Sequence, residues 1–334
     1  MVLKNYRTIS ATQAYTGTAQ TLTTDLPRDF LIQRLILSWT GTVTLSGTSV
    51  LVQDALLKCI SKISVKAVGE GSSREIFSVS GKDLYAMNLF DYGSACGTLV
   101  RPTASGANNN KTGWCIDMRS NKIDPDDYST ALPSYLLSSL QLEIEYVAFD
   151  GTSYGTNLTS ISNTLSITMI EGIPEANEDF SSNPLMTVLT KQLSADSSTG
   201  TEEDFDTFFQ VGSLIQRDFL ITETSAGVRS DLEISEFSVK SGTIPLMSKI
   251  NYDANKMKDI INYRIAEDFD GNWTVDGATF IDFYNNRSPF IATASGLRID
   301  GLSTVGYSVG DLLFSCICNN ASSVIRRIQT SIEG

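Results

Sequence analysis

The stretch Ile60-Ser61-Lys62-Ile63-Ser64-Val65-Lys66 returns 174 positions later as Ile234-Ser235-Glu236-Phe237-Ser238-Val239-Lys240. In the first copy Ile63, Val65 and Ala67 share one side while Ser64 and Lys66 share the other, the period of a half-buried strand. Two more echoes keep the same order around it. Arg28-Asp29-Phe30-Leu31-Ile32 recurs as Arg217-Asp218-Phe219-Leu220-Ile221, and Thr168-Met169-Ile170-Glu171-Gly172 as Thr330-Ser331-Ile332-Glu333-Gly334. One match is within chance; three in one order, the last closing each half, indicate an internal duplication. The separations fall from 189 to 174 to 162 residues, as shorter loops in the second copy would produce.

A chain of 334 residues suits two domains of about 150 residues, each large enough for a core without disulfides. Hydrophobic residues make up 41% and charged residues 19%, so Ser, Thr, Asn and Gly must supply much of the polar surface, as in β proteins. The net charge is −13 and no basic run exceeds Arg326-Arg327, which argues against direct nucleic-acid binding. The start Met-Val-Leu-Lys-Asn-Tyr-Arg lacks the apolar core of a signal peptide, and no apolar run reaches the ~18 residues of a membrane span. Synthesis in a cytoplasm as a soluble chain is therefore expected. The five cysteines (Cys59, Cys96, Cys115, Cys316, Cys318) have no framework spacing and read as reduced thiols. Cys316 and Cys318 share a strand face and read as small hydrophobes, since two thiols are too few ligands for a metal.

Along the chain, residues 8–25 read as a Thr/Gln/Ala-rich lead-in, with strands starting at Phe30. Leu35, Leu37 and Trp39 alternate with Ile36, Ser38 and Thr40, and Thr42 to Ser46 alternates again after Gly41. Gly69-Glu70-Gly71-Ser72 reads as a hairpin turn into Ile76–Val79. A short helix follows, with Ser80 as cap and Leu84, Met87 and Asp91 on one stripe. A longer one is expected in the second copy, capped by Asp253, with Met257, Ile260, Ile261, Arg264 and Ile265 following the 3, 4 spacing. Asp83-x-x-x-Met87 against Asp253-x-x-x-Met257 is a fourth, weaker echo. Residues 91–134, rich in Gly, Asn, Ser and Pro, read as a long surface loop. Leu140, Leu142, Ile144 and Tyr146 point inward on the plainest strand, and Leu165, Ile167 and Met169 lie on the next. The expected organisation is a first jelly roll over 1–173, a linker at 174–184 and a second jelly roll over 185–334. The fold class is all-β: two tandem jelly-roll β-sandwiches, each with one short helix.

The absence of histidine removes several chemistries. Gly151-Thr152-Ser153-Tyr154-Gly155 and Gly306-Tyr307-Ser308-Val309-Gly310 match a Gly-x-Ser-x-Gly elbow, but a Ser-His-Asp relay needs an imidazole and a strand-turn-helix setting. Both read as Gly/Ser turns. Metal centres of the cupin and deaminase kinds also need histidine. Asp268-x-Asp270-x-Asn272 begins like a calcium loop, yet Trp273 stands where the turn glycine belongs and Thr279 where the closing Glu belongs. It and the cluster Asp124, Asp126 and Asp127 read as solvated acidic turns, with Ca2+ binding left open. A glycosidase would need two facing carboxyl groups, for which 38 acidic residues give no specific support. No catalytic, cofactor-binding or metal residue is assigned, and no cofactor is expected.

The texture Arg28-Asp29-Phe30-Leu31-Ile32, then Ile60-Ser61-Lys62-Ile63-Ser64-Val65-Lys66-Ala67, then Gly81-Lys82-Asp83-Leu84-Tyr85-Ala86-Met87-Asn88, in an acidic two-copy β chain, resembles the double jelly-roll major capsid proteins. These belong to tailless, membrane-containing icosahedral viruses of the adenovirus-type lineage. Within that group, the resemblance is to lipid-containing bacteriophages of flavobacteria. It covers the whole chain and rests on architecture and element order, and it brings no catalytic residues. It implies a non-enzymatic structural protein of the virion capsid. Its partners would be itself, as a homotrimer of pseudo-hexameric outline among neighbouring capsomers, and minor capsid and penton proteins. It also implies an amino terminus toward an internal membrane, where Lys4 and Arg7, the only charges before Asp25, would meet anionic lipid. The 91–134 stretch would form an outer crown or a subunit clasp. Two alternatives come from other classes: a carbohydrate- or receptor-binding tandem sandwich using Trp114 or Trp273 as platforms, and a carboxylate-dependent glycan hydrolase.

Overall fold

The computed structural model describes residues 2–69, 72–93, 104–120, 128–176, 178–194, 199–205, 211–263, 275–283, 301–308 and 310–333. The chain divides into two compact units, Met1–Met186 and Thr187–Gly334. The first carries β1 (Leu3–Tyr15), β2 (Gln20–Asp25), β3 (Leu31–Leu45), β4 (Ile60–Gly69), β5 (Ser72–Val79), α1 (Gly81–Tyr92), β6 (Gly106–Asp117), β7 (Leu132–Pro133), β8 (Ser139–Tyr146) and β9 (Leu158–Ile173). Its strands run β1-β9-β3-β6, with β7 on β3, and β5-β4-β8-β2. The second, entered along β10 (Leu185–Ser194), carries β11 (Glu202–Phe205), β12 (Leu214–Glu223), β13 (Ile234–Ser241), β14 (Ile244–Asn251), α2 (Tyr252–Tyr263), β15 (Ala278–Asp282), β16 (Leu302–Ser303), β17 (Leu312–Cys318) and β18 (Val324–Glu333). Its strands run β10-β18-β12-β15, with β16 on β12, and β14-β13-β17-β11. Each described strand therefore has a counterpart nine strands later in the same place, and each helix follows the equivalent strand.

In the first unit, alternation becomes burial. β8 alternates between half-buried and buried residues along its whole length, with Leu140, Leu142, Ile144 and Tyr146 inward. Leu35, Leu37 and Trp39 on β3 are enclosed while Ile36 faces out. Tyr15 of one sheet stacks on Tyr146 of the other with ring centroids 4.7 Å apart, and Trp39 meets Trp114 at 6.1 Å. The core of the second unit joins Ile215, Leu220, Ile281 and Ile325 from one sheet to Phe237, Phe314, Cys316 and Cys318 from the other. This is sandwich packing of two sheets in each unit.

The repeated phrase is a true structural repeat, including a defect. Ile60 faces Tyr146 and Lys62 faces Glu145, so Ser61 is an extra residue on β4; Ile234 faces Cys318 and Glu236 faces Ile317, so Ser235 is the same extra residue on β13. The other echoes are out of register. Ile32 faces Glu171 and Arg34 faces Ile170, leaving Gln33 bulged on β3; Ile215 faces Ser331 and Arg217 faces Thr330, leaving Gln216 bulged on β12. The counterpart of Leu214-Ile215-Gln216-Arg217 is thus Leu31-Ile32-Gln33-Arg34, and Arg28 lies ahead of its strand. Glu171 corresponds to Ser331, two residues from the match suggested by Thr-x-Ile-Glu-Gly. A slip of two keeps the same faces, so the false match still looked periodic.

Three further expectations change. Strands begin at Leu3, not Phe30, because the Thr/Gln-rich opening pairs along β9. The presumed loop over 91–134 contains β6, a 12-residue strand paired with β3 from Arg34↔Asp117 to Leu45↔Gly106. Its first half, Gly106 to Lys111, has a loop's composition, while its second half is buried on both sides and shows no alternation. The helix α2 turns the other way: it buries Tyr252, Asn255, Lys256 and Asp259 and leaves Met257, Ile260 and Ile261 exposed. Arg264 and Ile265 lie outside the described residues. Its cap is Asn251, whose Oδ1 accepts the Ala254 amide at 3.0 Å, so Asp253 sits inside the first turn. At the first helix Ser80 caps as expected, accepting from the Asp83 amide at 3.2 Å.

Candidate functional site

The residues that the two units repeat most closely gather where the helix meets the edge of a sheet. β6 and β15 are the edge strands, and an open edge needs cover. In the first unit Asn88 of α1 supplies it: its Nδ2 donates to the Cys115 carbonyl at 2.9 Å and its Oδ1 accepts the Cys115 amide at 2.8 Å. In the second, Asp259 of α2 accepts the Phe280 amide at 2.7 Å, while Asn255 and Lys258 donate to the Phe280 carbonyl at 2.7 and 3.1 Å. The last residue of each helix is a tyrosine aimed at an aspartate. Tyr92 donates to Asp117 at 3.4 Å and Tyr263 to Asp282 at 2.5 Å. Opposite each aspartate lies the arginine that follows the bulge. Arg34 pairs with Asp117 at 3.0 Å, whereas Arg217 lies over the Phe280 ring at 4.3 Å. The bulged glutamines complete the joint, their carbonyls accepting the Met118 and Phe283 amides at 2.9 Å each. The repeated Leu-Ile-Gln-Arg, with Ile116-Asp117 and Ile281-Asp282, was the sequence signal for this clasp.

Both units bury charge: in the first, Arg119 pairs with Asp117 at 2.7 Å with side chains 0% and 1% exposed. Asp218 and Arg327 pair at 3.4 Å with both side chains fully enclosed. Burial pushes the Asp218 carboxyl up to about 6 against the opposing pull of Arg327, and burial lowers the Arg327 guanidinium to about 10. Burial also raises Asp259 to about 6, against the attraction of Lys258. Acids tuned to this range suit proton transfer when substrate can reach them. Neither carboxylate is accessible, with side-chain exposures of 0% and 1%.

The two Gly-x-Ser-x-Gly stretches are turns. Ser153 and Thr152 donate their hydroxyls to Asp150 at 2.6 Å each, and those bonds hold the Asp150 carboxyl below its usual range. The Ser308 amide donates to Asp311 at 2.5 Å. Cys316 and Cys318 lie in the apolar core with their sulfurs 3.8 Å apart. Among the described residues no group of three acidic or thiol ligands is assembled. Asp124, Asp126, Asp127, Asp268, Asp270 and Trp273 lie outside the described residues. Trp114 is fully buried and donates its indole N–H to the Gly81 carbonyl at 2.7 Å, so it is no sugar platform. Arg7 is engaged by Asp29 at 2.6 Å and Glu171 at 3.0 Å, and Lys4 is exposed with its Nζ 5.7 Å from the centroid of the Tyr6 ring. An open recess of about 690 Å³ lies between Asp25, Arg28, Asp29, Tyr135 and Ser139. Its carboxylates are already held, Asp25 by Gln141 at 2.7 Å and Asp29 by Arg7. No described helix is long and apolar enough to cross a membrane.

Two tandem sandwiches of one topology, each with its helix over the same sheet edge, define the double jelly-roll class. No protein-family model and no curated protein matches the chain. Solved structures match it over almost its whole length. The crystal structure of the STIV MCP is 16% identical, with a TM-score of 0.72 over 98% of this chain and 96% of that one. The corresponding chain in the atomic structure of Sulfolobus Turreted Icosahedral Virus gives 0.73 over 98% and 90%, again at 16% identity. The major capsid protein P2 from bacteriophage PM2 is 9% identical, with a TM-score of 0.58 over 99% and 98%. The chain has the double jelly-roll fold of these capsid proteins.

Proposed function

We propose that this chain is the major capsid protein of an icosahedral virus, located in the virion shell. Three copies would form a capsomer in which six similar sandwiches give a near-hexagonal outline, tiling the shell with threefold symmetry alone. The observation that carries this reading is the matched topology of the two units, because a chain that presents the same sandwich twice is what a pseudo-hexameric trimer requires. Neighbouring capsomers, minor capsid proteins and penton proteins are the expected partners, and an internal membrane lies beneath the shell. The role is structural, with no catalytic, cofactor or metal residues assigned. Negative-stain electron microscopy of the purified native oligomer tests the proposal. Flat particles with threefold averaging and a near-hexagonal outline are expected; monomers or elongated spikes at every concentration would overturn it.

A further inference from the structure

The two units leave opposite parts of a shared design bare. In the first, α1 is buried from Leu84 through Phe90, and β5 buries Ile76, Phe77 and Val79. The equivalent elements in the second unit are more open: α2 exposes Met257 (65%), Ile260 (39%) and Ile261 (69%), and β14 exposes Ile244 (65%) and Leu246 (40%) while its Met247 and Ile250 pack on the core. The opening strands reverse the pattern. β10 buries Met186, Thr187 and Val188, whereas its counterpart β1 exposes Leu3 and Tyr6 (62%). Both β14 and β1 end their sheets, and an end strand offers unpaired backbone groups to a further strand.

We propose that the β14–α2 face of one copy of this chain receives strand β1 of the next copy, head to tail. This rests on the capsid reading and names the contact through which that assembly forms. The occupant is a second copy because one chain carries both halves of the contact, each the counterpart of an element it buries elsewhere. The halves lie on different elements, so the contact is heterologous, and a heterologous contact that closes makes a ring. Size supports the same assignment. The five apolar side chains on β14 and α2 expose roughly 500 Å² in total, comparable to the largest apolar patch of a typical monomer, which is often functional. Strand pairing along β1 brings the contact toward the ~800 Å² per partner of a stable interface.

The test uses two full-length variants, one with Met257→Glu and Ile261→Glu, the other with Tyr6→Glu, read by native mass spectrometry and sedimentation velocity. Each alone should be monomeric, with association at least 100-fold weaker than that of the unsubstituted protein. Mixed in equal amounts they should form a heterodimer that grows no further, since each contributes its one intact face. A variant that keeps the native oligomer, or a mixture that stays monomeric, would overturn the assignment. An unsubstituted protein that never associates would instead remove the capsid reading itself. Where charge substitution prevents folding, a photo-crosslinking amino acid at position 257 reads the same contact. Crosslinks into residues of β1 from another copy are expected, and crosslinks elsewhere or none would refute it.

Discussion

Replacing Asn88 by Ala removes the one side chain that satisfies both outward backbone groups of Cys115 on the edge strand β6. Asn88 is 2% exposed and Cys115 is also buried, so water does not take over without local opening. Both hydrogen bonds are short, 2.9 and 2.8 Å. Each buried backbone group left unpaired costs about 1–3 kcal/mol, which puts the loss near 2–5 kcal/mol. For a unit of this size that is a fall in Tm of roughly 5–15 °C. Scanning calorimetry measures the fall, and hydrogen exchange at the Cys115 amide locates it. Asn88→Asp should keep the amide bond but bury a carboxylate against the Cys115 carbonyl, so it should cost at least as much as Asn88→Ala. An Ala variant within 0.5 kcal/mol of the native protein would refute the view that this helix seals the edge.

The other predictions concern buried charge, a buried indole and a close backbone approach. Asp218 and Asp259 have folded-state values of about 6 against an ordinary 3.8, so the folded state takes up their protons first. Their contribution to stability therefore grows as pH falls through 6, is complete below about 4, and is absent above 7, with a magnitude on the order of 3 kcal/mol each. Urea midpoints at pH 7.5 and 5 should show the native protein gaining on Asp218→Asn at the lower pH; parallel midpoints would exclude the shift. Trp114→Phe should cost about 2–3 kcal/mol, from the lost indole hydrogen bond to the Gly81 carbonyl and a small void, with lost tryptophan fluorescence as the check on the substituted site. At Gly41 an added Cβ would lie 2.0 Å from the Ser162 carbonyl oxygen, so Gly41→Ala should separate β3 from β9 and yield insoluble chain on expression.

Strand alternation made much of the first sandwich legible. Leu140 to Tyr146 and Leu35 to Trp39 behave as their pattern requires, and the hairpin at Gly69 pairs with Ser72 as expected. The helix in the second unit misled because Met257, Ile260 and Ile261 form a correct apolar stripe that faces outward. The stripe identifies a surface that wants burial and does not name the molecule that buries it. Strand β6 was hidden for the opposite reason: Trp114, Cys115 and Ile116 are all enclosed, so no residue on that stretch alternates with solvent. The edge clasp left only the short Leu-Ile-Gln-Arg and Ile-Asp repeats as a signal, because Asn88 and Tyr92 look like ordinary polar helix residues until the Cys115 backbone and the Asp117 carboxylate are placed beside them.

What the halves repeat is also informative about why sequence comparison finds so little. Ser61 and Ser235, Gln33 and Gln216, Tyr92 and Tyr263, and Asp117 and Asp282 set bulges and seal edges. The cores are freer: the first unit stacks Tyr15, Trp39, Trp114 and Tyr146, while the second fills its sandwich with Phe237 and Phe314. Apolar volume can be supplied by many combinations of side chains, but a bulge at a fixed place in a ladder admits few. Between the two halves, the core residues therefore differ most and a scattered handful that fix the backbone differ least. A chain can then keep a TM-score of 0.72 with a protein to which it is 16% identical, and hide its own duplication behind echoes that lie out of register.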